Sequence, residues 1–323
     1  DYATPGDTIY LAGQTFWLKD QIVWTKSDLT IRGGYEADPN GTSPGNHGSE
    51  QWPTVLARSG EFDHRIINID SVNTGTLEFV TITGGNENTG AGLLINNSLD
   101  VTLSGCSIRD NGWLRKITGH SRGVGIHVDS SEVTLTNCVV RNNSGYNSTT
   151  AYAGWYNVEG GGVYLTGDGS LMTIRDSQVQ NNCAWGNLNS ATKGLGGGMY
   201  VAAGTLTLKN VLVVGNVVDT TAPGLYVAGG TIAMDHCTVM FHGGEGLYRA
   251  GGAVEIKDSI VWGNWTNIVG DATVNFSNIG DPGFADVNNN LSANPLFEYG
   301  YYLNVESPCV DAGSDTAANL GMD

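Results

Sequence analysis

The 323-residue chain has few charged residues, and basic residues are the scarcer kind. Asp, Glu, Lys and Arg make up only 15% of it, and 15 Lys and Arg stand against 32 Asp and Glu, for a formal net charge of −17. Nucleic acids and anionic membrane surfaces are bound through clustered Lys and Arg. The composition therefore predicts neither of them as a partner, and it predicts repulsion of acidic glycans unless Ca²⁺ intervenes.

Long apolar runs and signal segments are also missing. No apolar run approaches the roughly 18 residues that a membrane-spanning helix needs, so membrane insertion is not expected. The first residues, Asp1 to Gly6, contain no charged-then-apolar signal segment, and the chain reads as a processed mature protein or a trimmed one. The five cysteines include no C-x-x-C pair, so neither a metal cluster nor a redox motif is predicted.

Glycine is abundant, and a repeated pattern accounts for it. The chain has 47 Gly, yet 40% of its residues are hydrophobic, which excludes disorder and suits many tight corners. Three near-copies of one pattern lie between Glu132 and Gly230, each with an alternating strand, an Asn-rich corner and a Gly-x-x-Tyr or Gly-x-Tyr strand. Repeats spaced by about 20–50 residues are typical of solenoids.

Aligning the copies from Thr76 onwards produces three columns of apolar or small residues. The first column is Leu77, Leu103, Leu135, Ile174, Leu208, Met234 and Ile256. The second is Val80, Cys106, Cys138, Ser177, Val211, Cys237 and Ser259. The third is Ile82, Ile108, Val140, Val179, Val213, Val239 and Val261. Because side chains alternate along a strand, all three columns face inward only if the chain bends between the first and the second.

Every copy repeats in the same direction, and the connections are too short for a crossover helix. The strands are therefore predicted to be parallel, with each turn of chain stacked about 4.8 Å above the last. This is an all-β fold, a single-stranded parallel β-helix solenoid of about nine to eleven coils. Cys106 and Cys138 would lie on adjacent coils, close enough for a disulfide, although a stack of small buried residues is the favoured interpretation.

An Asn follows the second strand of most copies. These residues are Asn111, Asn143, Asn182, Asn216 and Asn264, with His242 in the remaining copy. Asn tolerates a left-handed backbone and suits a corner, and stacked Asn side chains can bond to one another along the axis. We expect a structural role for them rather than a catalytic one.

The third strand carries a column that should face outward, because its neighbours on both sides are apolar. The column is Leu94, His127, Tyr164, Tyr200, Tyr226 and Tyr248. The pattern predicts a ribbon of His and Tyr side chains along one outer face. Such a ribbon either stabilises the sheet by stacking or offers a flat docking surface for a glycan or a neighbouring molecule.

Insertions follow the Asn corner in three consecutive copies, at residues 113–122, 144–159 and 184–196. They should emerge side by side, and insertions in a solenoid commonly form its binding face. Aromatic side chains stack on sugar rings. The predicted ligand-binding residues are Trp113, Tyr152, Trp155, Tyr156 and Trp185 in the insertions, together with Tyr164, Tyr200 and Tyr226 of the ribbon. The alternative is that these loops only pack over one face.

The pattern changes at Asp281, which divides the chain into coils over 1–280 and a closing tail over 281–323 that we expect to pack on the last coils. Residues 75–280 resemble the right-handed parallel β-helix repeat family, including surface proteins of the polymorphic outer-membrane kind. The tail segments Asn294-Pro-Leu-Phe297 and Ser307-Pro-Cys-Val-Asp-Ala-Gly313 resemble the end of many secreted bacterial β-helix proteins. The resemblance implies a right-handed β-helix in a secreted or cell-surface protein.

The same family includes lyases, hydrolases, adhesins and structural proteins, so the resemblance does not fix an activity. In its polysaccharide lyases a basic residue takes the proton next to a uronate, often with Ca²⁺ on carboxylates. The resemblance places that role on Arg115, Lys116 and His120. The insertions lack an Asp/Glu cluster for Ca²⁺ and the paired carboxylates of glycosidases, so no cofactor and no catalytic set are predicted, with Ca²⁺ the one ion a lyase would require.

Two functional hypotheses follow. The first is a non-enzymatic, extracellular structural or adhesive protein whose partner is a glycan or another copy of the chain. Nothing before Asp7 could form a helix over the first coil, so a complete chain would expose that end and could stack head-to-tail into filaments, whereas a trimmed chain would have lost its cap. The second is a carbohydrate-active enzyme, a polysaccharide lyase or glycoside hydrolase, or a glycan-binding protein, working at the insertion face.

Overall fold

The computed structural model of the chain describes residues 3–38, 43–112, 120–146, 157–186 and 193–314. Within these ranges the secondary structure consists of short strands and one three-residue 3-10 helix, Pro282–Phe284. No α-helix occurs in the described residues. The all-β prediction is confirmed.

The described chain winds through ten successive coils, each opened by a first strand. The first strands are Thr8–Ala12, Leu29–Tyr35, Gly75–Glu78, Val101–Ser104, Glu132–Thr136, Leu171–Gln180, Thr205–Val214, Thr231–Asp235, Ala253–Lys257 and Thr273–Asn275. The second strands are Thr15–Leu18, Thr54–Arg58, Val80–Thr83, Ser107–Arg109, Val139–Arg141, Thr238–Met240, Ile260–Trp262 and Asn278–Ile279, while Leu171–Gln180 and Thr205–Val214 run through both positions. Together they form one 18-stranded sheet.

Third strands form a separate 9-stranded sheet. They are Ile22–Trp24, Ile67–Asp70, Leu93–Asn96, Ile126–Asp129, Val163–Thr166, Met199–Val201, Leu225–Val227, Glu245–Arg249 and Thr266–Val269. Neighbouring coils pair in parallel, and their registers confirm the first column: Leu77 pairs with Leu103, and Leu103 pairs with Leu135. Members of all three columns are buried, and their apolar members belong to one continuous hydrophobic core, which is the interior of a parallel β-helix.

The bend predicted between the first and second columns is made by one residue in the left-handed region. The residue before each member of the second column has a positive φ: Phe79 (53°), Gly105 (62°), Asn137 (53°), Asp176 (50°), Asn210 (52°), His236 (53°) and Asp258 (48°). One left-handed residue reverses the alternation of side chains. Both columns therefore face the interior.

Asn side chains at the corner form a ladder along the axis, as predicted. The Nδ2 of Asn111 donates to the Oδ1 of Asn143 at 2.9 Å, and that of Asn143 donates to the Oδ1 of Asn182 at 2.9 Å. The expected reason for Asn at this corner is wrong, however. The left-handed residue is the one before it, such as Asp110 with a φ of 55°. Asn is needed for its amide, which satisfies buried backbone groups on both sides.

The two ends of the described coils differ. On the far side of the last coil, the backbone N–H of Phe276 donates to the carbonyl of Asn288, and that of Ile279 donates to the carbonyl of Leu291. In the first coil, Thr8–Ala12 pairs with one described strand, Leu29–Tyr35. The last coil is thus covered by residues of the tail, although the division of the chain at residue 280 stays a prediction.

Further tail residues return along the outside of the coils. A short antiparallel pair joins Phe297–Glu298 to Tyr302–Leu303. Ser314 then donates from its backbone N–H and its hydroxyl to the carboxylate of Asp258, at 2.6 and 2.7 Å. These bonds hold the end of the described chain against the outer face of the ninth coil.

Candidate functional site

The three insertions re-enter the solenoid side by side, and two of them leave it side by side, because their stems pair with one another. Where those two leave, Ser144–Tyr146 and Cys183–Trp185 form a small parallel sheet with Val217–Val218 of the following coil. Where they return, Ser121–Arg122, Val158–Glu159 and Gly194–Leu195 form another. The prediction that the insertions cluster is confirmed for these stems.

Most of the predicted insertion residues lie outside the described residues. These are Trp113, Arg115, Lys116, Tyr152, Trp155 and Tyr156. Trp185 is described: it lies half-buried in a stem strand, opposite Tyr146 of the neighbouring insertion. His120 is also described, and its Nδ1 accepts a hydrogen bond from the backbone N–H of Asn157 at 3.2 Å. Their roles in ligand binding or catalysis stay predictions.

The outward column of the third strands is a continuous ladder of stacked rings. From His127 to Tyr248, neighbouring ring centroids lie 4.9, 5.2, 5.0 and 5.3 Å apart, and the interplanar angles fall from 22° to 6°. Because parallel strands in register place equivalent side chains about 4.8 Å apart, identical rings stack without any side chain leaving its strand. We call His127, Tyr164, Tyr200, Tyr226 and Tyr248 the aromatic ladder.

The ladder points away from the interior, but only part of it is accessible. Tyr164 and Tyr200 are 4% and 9% exposed, so the expectation of a ribbon open along one outer face is wrong for this half. They pack with Leu195, the last residue of a returning stem strand, in a cluster separate from the main core. Tyr226 and Tyr248 remain half-buried. The returning stems therefore cover Tyr164 and Tyr200 and leave Tyr226 and Tyr248 accessible.

An ion pair at the stems lies over the covered end of the ladder. The Nε of Arg122 is 3.0 Å from the Oε2 of Glu159, whose side chain is buried. The guanidinium carbon of Arg122 is 5.6 Å from the centroid of the Tyr164 ring, a cation–π distance. Although burial opposes it, the hydrogen bond to Glu159 raises the pKa of Arg122. Glu159 and Arg122 were present in the insertions but not recognised as a pair from the sequence.

Burial shifts the pKa values of four side chains of the ladder in the direction that favours their neutral forms. Burial lowers the pKa of His127 to about 4, because a dry environment disfavours the imidazolium. Burial also raises the pKa of Tyr164, Tyr200 and Tyr226 above the ordinary tyrosine value. At neutral pH these four side chains are therefore uncharged, with neither an imidazolium nor a phenolate among them to act in proton transfer.

At and before the start of the ladder, two buried polar groups lack hydrogen-bond partners. The Oδ1 of Asn68 and the Nδ1 of His127 are buried without a hydrogen-bond partner. Asn68 pairs in register with Leu94, which pairs with His127. The half-buried side chain of Arg65 lies in the same coil as Asn68; burial lowers its pKa, and the charge of Glu87 opposes that shift. Unsatisfied buried groups are uncommon and mark this surface as a candidate contact site.

Neither Arg65 nor Asn68 was predicted as a functional residue. Asn68 stands in the same outward position as the ladder, two coils before His127 and one before Leu94, so extending the predicted column by one copy would have located it. Arg65 has no pattern of its own.

Metal-ligating side chains come together elsewhere, on the eighth and ninth coils. Ligand atoms of Asp235, His236 and Asp258 lie within 4.8 Å of one another. Asp258 already accepts from Ser314 and lies 3.1 Å from the Nζ of Lys257. This group could hold a cation only in competition with those partners, and it is not the Ca²⁺ site at the insertions that a lyase would need.

The cysteines and the one helix add no site of their own. All five cysteines fall within the described ranges and are free, so no disulfide joins Cys106 to Cys138. The described part of the chain contains no helix long and apolar enough to cross a membrane.

One comparison with known proteins gives a match. A family model described as a right-handed β-helix region matches residues 61–279. No curated protein and no solved structure matches the chain. The match covers the coils that carry the Asn ladder, the aromatic ladder and the insertion stems.

Proposed function

Because the chain belongs to the right-handed β-helix family, we propose that it is a non-enzymatic structural or adhesive protein, secreted or held at a cell surface. The observation that carries the proposal is the aromatic ladder. Five stacked rings occupy the outer face where an active site would be sought, and they stabilise one another. The location rests on the resemblance of the coils and tail to secreted β-helix proteins.

Acid–base catalysis at the ladder is disfavoured by its protonation. A general acid or base works best with a pKa near the working pH. The pKa of His127 is lowered to about 4, and that of Tyr200 is raised. Both shifts move away from neutrality, as expected of groups buried for packing.

The accessible end of the ladder suits adhesion. Tyr226 and Tyr248 are stacked with centroids 5.3 Å apart and are half-buried. Stacking occupies ring faces, so a partner would meet ring edges and hydroxyl groups. A glycan, which offers both hydroxyls and apolar C–H surfaces, is a partner of matching chemistry. The acidic chain argues for a neutral glycan rather than a polyanionic one.

A second candidate function, a carbohydrate-active enzyme or glycan-binding protein at the insertion face, is favoured by the group at the returning stems. Arg122 and Glu159 lie 3.0 Å apart, and Asn157 donates to Glu159 and to His120. This group combines a cation, a carboxylate and an imidazole. Arg115 and Lys116, the remaining lyase candidates, lie outside the described residues.

A panel of uronate and neutral polysaccharides separates the two functions. We expect the chain to bind neutral glycans without cleaving them. Calorimetry measures the binding, and the absorbance of unsaturated ends and the release of reducing ends detect cleavage. Tyr248→Ala should weaken binding, whereas Tyr302→Ala, which alters an exposed tail tyrosine, should not. Cleavage that is abolished by Arg122→Gln or His120→Ala would overturn the non-enzymatic proposal in favour of the second.

Self-association is a further part of the proposal, and the covered last coil limits its geometry. Head-to-tail stacking would have to break the hydrogen bonds between coil residues such as Ile279 and tail residues such as Leu291. We therefore expect copies to associate through outer faces rather than through ends. Electron microscopy at rising protein concentration tests this expectation. Filaments in which copies of the intact chain stack end to end along the solenoid axis would contradict it.

A further inference from the structure

A second aromatic feature lies on the first two coils and encloses a pocket of about 330 Å³. The stems and the aromatic ladder belong to later coils, so this pocket is no part of the site described above. The pocket is lined by Tyr10, Ala12, Tyr35, Glu36, Asp38, Ser43 and Pro44. Among the described residues, the lining contains two tyrosines and two acidic residues but no Lys, Arg or His.

The two tyrosines form a corner. Their ring centroids are 5.0 Å apart and their planes meet at 83°. Tyr35 is held from the other side by His47, at 4.8 Å, and His47 in turn contacts Phe79 at 5.0 Å. Tyr10 is 45% exposed. One wall of the corner, Tyr35, is thus fixed by packing, and the other, Tyr10, is partly exposed to solvent.

A strand irregularity places Tyr35 in this corner. Tyr10 pairs with Arg32, but Ala12 pairs with Tyr35, so one extra residue is accommodated between these pairs. Gly34, with a φ of 85°, lies in the extra segment, and its backbone N–H donates to the hydroxyl of Thr54 at 2.8 Å. Bulges of this kind re-aim side chains and are common beside binding sites.

Both acidic side chains of the pocket are positioned by hydrogen bonds. The Oε2 of Glu36 accepts from the Nδ2 of Asn46 at 2.9 Å, and the Oδ2 of Asp38 accepts from the backbone N–H of Ser43 at 3.3 Å. The guanidinium of Arg32 hydrogen-bonds to Glu78 and also to the side chain of Tyr35, and the Glu78 carboxylate compensates its charge. Two carboxylates beside an aromatic corner make the pocket attractive to a cation.

We propose that this pocket binds a quaternary ammonium group. A methylated cation has no N–H to satisfy, and its methyl shell fits against aromatic faces while the carboxylates supply the opposite charge. A primary ammonium is strongly hydrated and needs acceptors on several sides. A divalent metal ion needs several oxygen ligands at bonding distance, which aromatic walls do not provide. The chain's net charge of −17 adds a general attraction for cations.

Choline and 3,3-dimethylbutan-1-ol test the proposal, because the second compound replaces the trimethylammonium group by an uncharged tert-butyl group of the same shape. Calorimetric or NMR titration of the full chain should show choline binding about tenfold more tightly than the neutral alcohol. Equal binding of the two would mean an apolar groove and would overturn the proposal. Absence of choline binding at millimolar concentration would overturn it as well.

Variants locate the site. Tyr10→Leu and Glu36→Gln should each weaken choline binding about tenfold, and Tyr10→Leu should barely change binding of the alcohol. Tyr302→Leu, which alters a tyrosine 69% exposed in the tail, is the matched control and should change neither. Unchanged choline affinity in Tyr10→Leu, with the unfolding midpoint preserved, would place binding elsewhere. Displacement of choline by Ca²⁺ at equal concentration would indicate a metal site instead. None of these outcomes bears on the proposed function.

Discussion

Two ladders of stacked side chains run along this solenoid, and they differ in how they depend on their surroundings. The Asn ladder lies inside the corner and is buried from Asn111 to His242. The aromatic ladder lies outside and changes from buried at Tyr164 to half-buried at Tyr248. Directional hydrogen bonds between amides fix the spacing of the coils, whereas the rings stack both where other residues cover them and where they are exposed. The inner ladder therefore specifies the fold, and the outer ladder is free to carry function.

The largest effect should come from interrupting the inner ladder. Asn182→Ala removes the Oδ1 that accepts from the backbone N–H and the Nδ2 of Asn143. Two donors are then buried without acceptors, each at about 1–3 kcal/mol, so we expect a loss of about 4 kcal/mol in the free energy of unfolding. Chemical denaturation measures it. Asn73→Ala, at an exposed position, is the control, and a similar small loss at both sites would refute the distinction between the ladders.

A somewhat smaller loss is expected in the covered half of the outer ladder. Tyr200→Ala removes a ring that is 9% exposed and stacked on both sides by Tyr164 and Tyr226. Burial and stacking together predict a destabilisation of about 3 kcal/mol. Tyr200→Phe keeps the stack and should cost less than about 1 kcal/mol. If Tyr200→Phe were as damaging as Tyr200→Ala, hydroxyl bonding rather than stacking would hold the ladder.

Acid should affect the inner ladder through its one imidazole. His242 is 2% exposed, its Nδ1 accepts from the backbone N–H of Asn216, and burial lowers its pKa to about 4. The unfolded imidazole binds a proton below about pH 6.5. Between these values protonation favours the unfolded state, so stability falls as the pH falls, by about 2 kcal/mol between pH 7 and pH 5.

His242→Asn restores the residue found at the other corners and should remove that loss. Thermal unfolding at a series of pH values compares the variant with the parent chain. His127, whose pKa is also lowered to about 4, supplies a second loss of the same sign in both proteins. An unchanged pH dependence in His242→Asn would show that the imidazole of His242 is not neutral in the folded state.

The smallest effect is expected at the accessible end of the outer ladder. Tyr248 is half-buried, stacks on Tyr226, and pairs on its other side with Val269 rather than with another aromatic residue. Tyr248→Ala should therefore cost only about 1 kcal/mol. Differential scanning calorimetry of Tyr248→Ala and Tyr200→Ala compares the loss of stability at the two positions. Equal destabilisation by the two substitutions would mean that the contribution of a ring to stability does not depend on its exposure.

The residues of the interior could be predicted from the sequence because each coil repeats the same pattern of inward side chains. Leu77, Leu135 and Ile256 occupy one column for a reason that acts within every copy, so register and direction follow from spacing alone. The bend between the first two columns could be predicted. The sequence did not show that the residue before Asn111, rather than Asn111 itself, adopts the left-handed conformation at the corner. Since Asp, Asn, Phe and Gly all occupy that position, no residue type reveals it.

Features that depend on contacts between distant segments could not be predicted. Burial of Tyr164 and Tyr200 is due to Leu195 and Arg122, which return from insertions of variable length with no repeat to align. The roles of Trp113, Arg115 and their neighbours still rest on sequence alone.

The Asn ladder also has a direction. From Asn111 to Asn182 each side-chain amide donates to the Asn of the following coil. Backbone N–H groups make the links on both sides of His242, and beyond it Asn264 donates to Asn267 of its own coil, which donates to the carboxylate of Asp281 at 3.0 Å. Aligned amide dipoles add, as peptide dipoles do in an α-helix, so the stretch from Asn111 to Asn182 is electrically polar along the axis of the solenoid.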